Sequence, residues 1–261
     1  YAIIRTQTLL FPNSQLTVLL MVAALLTMLV GILGALAQAD IKRLLSFTLV
    51  SHIGYMIFGV ALSSQLGLAA TIYYVVHHIS VQTALFLVAG LIERVGGTTS
   101  LSRLGGLLKS APFVAILFFI GALNLGGIPP FSGFLGKIAL FQAGVQNGSP
   151  WAYVLIAGGA ATSLLTLYAL ARAWNMAFWR SSAEAEQRSS PESMKEDPHD
   201  EGTVLTKTVS PLMTGATAVM LALTVALTLF AGPLFDLSAR AAADVEHPVT
   251  YIDAVFPNGT P

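Results

Sequence analysis

Lys137 stands in the apolar run GGIPPFSGFLGKIALF, about two helical turns after Pro129 and Pro130. A charged group in such surroundings costs on the order of 3 kcal/mol, so a lysine there has either a task or an escape. The task is to gain and lose a proton, with backbone groups freed at the proline break lining a hydrated cavity beside it. The half-helix that follows the break points its positive dipole end at the same region. The escape is to snorkel, with the amine at a polar edge and the stem along the apolar run. A second group of candidates lies in YYVVHHISVQT, where Tyr74, His78 and Gln82 fall at i, i+4 and i+8 on one helix face. Histidine exchanges protons near neutrality, and a hydrated row of such groups is what a proton wire requires; the alternative is a histidine hydrogen-bonded between packed helices. Adjacent His77 points about 100° away, toward a different environment. His52, in SHIGY, reads first as an interhelical hydrogen-bonding residue. Lys42, in ADIKRLLS, reads as a topology marker with Arg43 or as a further member of the same path. Asn124, beside the break, reads as a partner for freed backbone groups. No carboxylate or cysteine lies at ligand spacing on these segments, so no metal site is expected.

The elements that must position these residues are apolar and long. Of 261 residues, 55% are hydrophobic and 10% charged, and the mean hydropathy is +0.74, far from a soluble domain. Net charge is zero, which gives no reason to expect nucleic acid as a partner, and the absence of cysteine removes disulfide and thiolate chemistry. A bilayer core of about 30 Å needs about 20 apolar residues per helix. Runs near 15–38, 43–62, 66–92, 111–147, 151–179 and 210–235 qualify and are too long for membrane strands. The expected fold class is all-α, a polytopic transmembrane helical bundle. Trp151, Trp174 and Trp179 near span ends read as an interfacial belt.

The run 111–147 is interrupted by NLGGIPPFSG, with Gly126, Gly127, Pro129, Pro130 and Gly133 in the break. Two short helices with a turn outside the membrane, or one discontinuous helix, would both fit. Basic residues in short loops gather on the cytoplasmic side. With a single crossing, Lys42, Arg43, Arg94, Arg103, Lys109, Arg180, Arg188, Lys195 and Lys207 share one side; with two crossings the bias largely disappears. One discontinuous helix is therefore expected. Residues 180–209 form a Ser/Glu/Asp-rich linker that buries too little apolar surface to order itself. The organisation expected is a transmembrane domain over 1–179, this linker, a final span over 210–235 and a tail over 236–261, with a short helical segment in DLSARAAADV. The opening YAIIRTQTLLF reads as the end of a helix begun upstream, and so the chain as the C-terminal part of a longer protein.

The segments ADIKRLLSFTLVSHIGYMIFGV, HHISVQTALFLVAGLIER and GGIPPFSGFLGKIALF together resemble the antiporter-like membrane subunits shared by Mrp antiporters and the proton-pumping arm of respiratory complex I. YAIIRTQTLLF, SLLTLYALARAWNMAFWR and YIDAVF are most similar to the D-type subunits of bacterial Mrp antiporters. The resemblance implies two inverted helix repeats, each with a broken helix, and a polar axis that passes protons; this chain resembles the second repeat. By motif, Lys137 matches the buried lysine after the second break, His78 the histidine of the preceding stripe, and Lys42 the lysine of the DIKR junction. Where the family pattern reads H-x-x-x-K-T-A-L-F, this chain has Gln82 before Thr83, Ala84 and Leu85. Glutamine hydrogen-bonds to a water chain but carries no proton by ionising.

The implied function is that of a membrane subunit of a cation/proton antiporter, exchanging Na+ for protons without a cofactor or enzymatic chemistry of its own. The implied location is the bacterial plasma membrane, with other subunits as partners and the loops near Lys42, 93–110 and 180–209 cytoplasmic. The rival is a proton-translocating subunit of a redox-driven pump such as NADH:quinone oxidoreductase or a membrane-bound hydrogenase. A second rival is a structural subunit whose axis has lost conduction, a reading that rests on Gln82.

Overall fold

A helix satisfies its backbone polar groups internally, which is why long apolar runs fold this way in lipid. The computed structural model describes residues 2–9, 16–181, 184 and 210–246. Among them the helices are α1 Ala2–Leu9, α2 Leu16–Ala37, α3 Ile41–Ala61, α4 Gln65–Gly96, α5 Leu107–Ser110, α6 Pro112–Gly126, α7 Ser132–Asn147, α8 Pro150–Trp174, α9 Pro211–Leu229 and α10 Ala231–Glu246. A single π turn, Asn175–Trp179, prolongs α8. Five of these elements are long and apolar enough to span a membrane. The fold is the expected polytopic helical bundle, and its discontinuous helix is the pair α6 and α7. Most of the polar linker and the end of the tail lie outside the described residues.

Helices approach closely in this bundle where side chains are small. At the α2–α3 seam a Cβ on Gly31 would lie 2.6 Å from Ser51 Cα, and one on Gly54 would lie 2.7 Å from Met28 N. Ser51 Oγ donates to Met28 O across the same seam at 2.8 Å. This is the membrane form of packing, in which small residues and interhelical hydrogen bonds replace a hydrophobic driving force. Central to the bundle is α4, whose 32 residues extend about 48 Å at 1.5 Å each. It is capped by Ser64, which accepts from Gly67 N, and closed by Gly97 in the left-handed conformation. Helices α3, α6, α7, α9 and α10 all pack on it.

One end of the bundle is knit together by its basic residues and their loops. Asp40 caps α3 by accepting from Arg43 N at 2.9 Å, and the Thr99 hydroxyl bonds the same carboxylate. Ile41 N donates to Thr99 O and Leu101 N to Ala39 O, joining the turn before α3 to the loop after α4. Arg172, near the end of α8, donates to Leu36 O and Gln38 O, and Arg180 donates to Leu101 O and Ser102 O. Cationic donors on the last carbonyls of a helix complete its C-terminus. Because α8 returns to the end from which α6 departs, residues 112–147 cross once. At the opposite end Asn147 Nδ2 reaches Leu62 O.

Two boundaries differ from expectation. The last span stops at Leu229 and a new helix starts at Ala231, because Pro233 has no N–H to offer Leu229 O. DLSARAAADV is helical within α10, which packs on the first turns of α4 through Phe235 against Tyr73 and Ala242 with Leu68 and Ala69. Trp174 is not a simple belt residue: it stacks on Phe178 with ring centroids 4.7 Å apart and also meets Phe118 and Phe119. Trp151 and Trp179 are exposed, as residues of a belt would be.

Candidate functional site

Helix α6 ends because Gly127 takes φ +82°, turning its N–H back to Leu123 O and Asn124 O. Residues Ile128 to Phe131 then bridge to α7, with Pro129–Pro130 in the cis form. The first N–H groups of α7 have no intrahelical partner and no cap from Phe131. They are met from other helices: Ser132 N donates to Thr228 Oγ1 at 2.9 Å and Gly133 N to Asn124 Oδ1 at 3.2 Å. The Ser132 hydroxyl donates to the same Asn124 oxygen. Asn124 thus serves the freed backbone, as its position implied.

Lys137 occupies the second turn of α7 and is 4% exposed, so snorkelling to a polar edge is not what it does. Side chains lean toward the N-terminus of their helix, and this one leans back across the break. Its Nζ donates to Leu125 O at 3.2 Å and Gly126 O at 3.1 Å, carbonyls left open at the end of α6. The partial charges nearest the amine are therefore the negative end of α6, not the positive end of α7 expected from the order of the half-helices. The amine also lies 5.3 Å from the centre of the Tyr55 ring. Gly127 makes room, since a Cβ there would stand 3.0 Å from Nζ and 3.1 Å from Cδ of Lys137.

The histidines gather around Tyr74. His52 Nδ1 and Tyr74 OH share a hydrogen bond of 2.9 Å, and the His52 and His78 rings lie 5.0 Å apart. His77 faces the break, with Nδ1 2.9 Å from Ser132 Oγ, and its ring stays beside Tyr74 with centroids 5.4 Å apart. Because that hydroxyl donates to Asn124, it accepts from His77 Nδ1–H and leaves Nε2 as the open nitrogen of the neutral ring. Gly133 lets the ring in: a Cβ there would meet His77 Nε2 at 3.0 Å. Further along α4, Gln82 Nε2 donates to Leu45 O at 2.7 Å, and Gln82 and His78 line a cavity of about 420 Å³ with Leu49, Phe86 and Leu87. Nε2 of His52, His77 and His78, Oε1 of Gln82 and Nδ2 of Asn124 are buried and meet no partner among the described residues. Buried polar atoms of this kind are ordinarily satisfied by ordered water.

Lys137, Tyr74, His78, His77 and His52 are brought together, with Gln82 beside His78. Lys42 is not: its side chain is 42% exposed at the basic end, paired with Glu93 at 2.6 Å. Sequence reasoning passed over Tyr55, Ser132 and Glu93. Tyr55 lies three residues after His52 on the same face, Ser132 heads a half-helix where serine is a familiar capping type, and Glu93 is an acid in an apolar helix; each signal was present but unspecific.

A discontinuous helix with buried ionisable side chains around its break, in a bundle with five helices long and apolar enough to cross a membrane, defines a multi-pass helical membrane protein. Residues 1–166 match the family described as NADH:quinone oxidoreductase/Mrp antiporter, transmembrane. The chain is 40% identical over 259 residues to the D-type Na(+)/H(+) antiporter subunit of Alkalihalophilus pseudofirmus, covering 98% of this chain and 48% of that protein. It superposes on a chain of the Mrp complex from Dietzia sp. with a TM-score of 0.80 at 35% identity, covering 98% of this chain and 52% of that one. On a chain of respiratory complex I from Thermus thermophilus the TM-score is 0.70 at 26% identity, covering 89% and 45%. The chain belongs to the NADH:quinone oxidoreductase/Mrp antiporter transmembrane family. It spans about half the length of the curated relatives it matches.

Proposed function

We propose that this chain is part of a membrane subunit of a monovalent cation/proton antiporter, with Na+ as the cation and other membrane subunits of the same complex as partners. The observation that carries the reading is the seat of Lys137: a buried amine that donates to two main-chain carbonyls across a helix break and lies over the Tyr55 ring, beside three histidines whose Nε2 atoms meet no partner among the described residues. A proton handed over by Lys137 passes through water to the His77, His78 and His52 group, and changes in hydration between Gly126 and Gly133 gate the step. Gln82 takes part by hydrogen-bonding to that water rather than by ionising. Lys42, paired with Glu93, marks the mouth of the path at the basic end, which by the bias of its loops is the cytoplasmic one. On this reading 180–209 is a cytoplasmic linker and the end of the tail lies on the far side, in a bacterial plasma membrane.

The measurement is Na+-dependent proton flux in inverted vesicles carrying the complete complex, wild type against Lys137→Ala at matched assembly. Loss of flux supports the reading; wild-type flux in the variant overturns it. The likeness to a complex I chain favours one alternative, a proton-translocating subunit of a redox-driven pump such as NADH:quinone oxidoreductase. Purification with a hydrophilic arm holding iron–sulfur clusters would establish that alternative, and purification with small hydrophobic subunits alone would exclude it.

A further inference from the structure

Two carbonyl oxygens at the end of α6 are open because of the residues that follow them. In a continuing helix the N–H of position 129 would meet Leu125 O and that of position 130 would meet Gly126 O, four residues back. Both positions are proline, Pro129 and Pro130, which has no N–H to give. The amides that do turn back, Gly127 N and Ile128 N, go to Leu123 O and Asn124 O instead. Leu125 O and Gly126 O therefore have no main-chain donor among the described residues, and they are the pair to which Lys137 Nζ donates. They carry the negative end of the α6 dipole, and the amine they hold lies over the Tyr55 ring, 5.3 Å from its centre. Nothing in this seat is particular to an ammonium, since the carbonyl ends of half-helices also hold alkali cations. No carboxylate reaches it: α3, α6, α7, α8 and α9 contain none, and Glu93 of α4 is bonded to Lys42 at the basic end. Neutral oxygens and a ring face suit a single positive charge, whereas divalent ions ordinarily take carboxylates.

We propose that the seat formed by Leu125 O, Gly126 O and the Tyr55 ring is a monovalent-cation site, which the Lys137 ammonium and a Na+ ion occupy in turn. It rests on the reading of Lys137 as a proton carrier. When the ammonium gives its proton to water it becomes a neutral amine, and the two carbonyls lose the charge that they held. The flexible side chain then yields them to Na+, which keeps water as its remaining ligands. Reprotonation brings the ammonium back and expels the ion, because two like charges a few ångströms apart repel strongly in a buried site. The seat thus holds one positive charge in either state, and proton and metal ion never share it, which is the condition for exchange rather than co-transport. The titratable groups facing Lys137 are His52 and Tyr55 of α3 and Tyr73, Tyr74, His77 and His78 of α4. Helices α6 and α9 contain no ionisable residue, and those of α8 lie elsewhere, Arg172 at the basic end and Tyr153 and Tyr168 exposed.

The experiment measures equilibrium binding of radioactive Na+ to the purified complete complex across pH, in wild type, Lys137→Ala and Lys137→Arg at matched subunit content. In wild type one Na+ per complex should be displaced as the pH falls, its apparent affinity dropping about tenfold per pH unit once the amine is protonated. Lys137→Ala removes the tethered competitor, so that this ion should stay bound across the range. Lys137→Arg keeps a charge that is never lost, so the ion should be missing at every pH. The same number of ions with the same pH dependence in all three overturns the site, and so does loss of the ion in Lys137→Ala. A pH dependence that survives unchanged in Lys137→Ala belongs to the histidines, which that variant keeps, and it overturns the site too. Na+-dependent proton flux in vesicles separates this from the underlying reading. If Lys137→Ala transports like wild type the proton-carrier reading fails, whereas if its flux is lost and its Na+ binding matches wild type at every pH only the shared site does.

Discussion

Gly127→Ala separates the two things that the break does, ending a helix and seating an amine. The backbone at Gly127 has φ +82°, a region that costs an alanine about 1–2 kcal/mol. The new Cβ would also stand 3.0 Å from Lys137 Nζ, against a relaxed separation of roughly 3.5–4 Å. The amine must therefore retreat by several tenths of an ångström, which stretches its 3.1 and 3.2 Å bonds to Gly126 O and Leu125 O toward the limit of hydrogen bonding. Losing one such bond, about 1.4 kcal/mol, corresponds to about tenfold in rate. Gly148→Ala is the matched control: φ there is +67°, and a Cβ meets nothing within 4 Å. Thermal unfolding of the purified complex and Na+-dependent proton flux in vesicles read the two effects apart. Both variants should lose the backbone cost of a positive φ, with Gly127→Ala losing about 1.4 kcal/mol more for the hydrogen bond, while only Gly127→Ala should lose about tenfold in flux. Equal flux in the two would refute the claim that the position of the Lys137 amine controls transport.

Four further outcomes follow from the same geometry. Asn124→Ala leaves Ser132 Oγ and Gly133 N without their shared acceptor, so the complex should lose about 1–3 kcal/mol, seen as a lower unfolding temperature. Gly31→Ala drives a Cβ into the Ser51 backbone and should part the α2–α3 seam at a cost of about 1–3 kcal/mol, read as reduced assembly at matched synthesis. Gly215→Ala, in the interior of α9 with nothing within 4 Å, should instead raise stability by up to about 1 kcal/mol in the same unfolding assay. Gln82→Leu removes the open oxygen beside His78 and should slow flux, whereas Gln82→Lys, whose amine still reaches Leu45 O, should conduct at least as well as wild type. Faster flux in Gln82→Leu than in wild type would refute a water-bridging role.

How much of this was legible depends on whether a property belongs to one helix or to two. Span positions follow from the length of apolar runs, and the break follows from Pro129, Pro130 and the glycines around them, because each is set by local backbone chemistry. The common face of Tyr74, His78 and Gln82 is likewise a property of α4 alone. Which neighbour a face meets is not a property of one helix. His52 belongs with Tyr74 and His78 only because α3 packs on α4 in a particular rotation, fixed by close contacts such as Gly59 against the Thr71 side chain. The dipole expected at Lys137 differs from the one it meets for a related reason: chain order places the residue after the start of α7, but side-chain direction carries its amine back to the end of α6. Tyr55 shows the limit most plainly. Its place beneath the lysine depends on three helices at once, with α3 supplying the ring, α7 the amine and α8 the carbonyl and hydroxyl that hold the phenol. A buried tyrosine in an apolar span has no sequence signature that separates filling space from joining a polar group shared by several helices. The separation comes from the polar atoms of other helices that converge on its hydroxyl, so Tyr55 could be picked out only once α3, α7 and α8 were placed together.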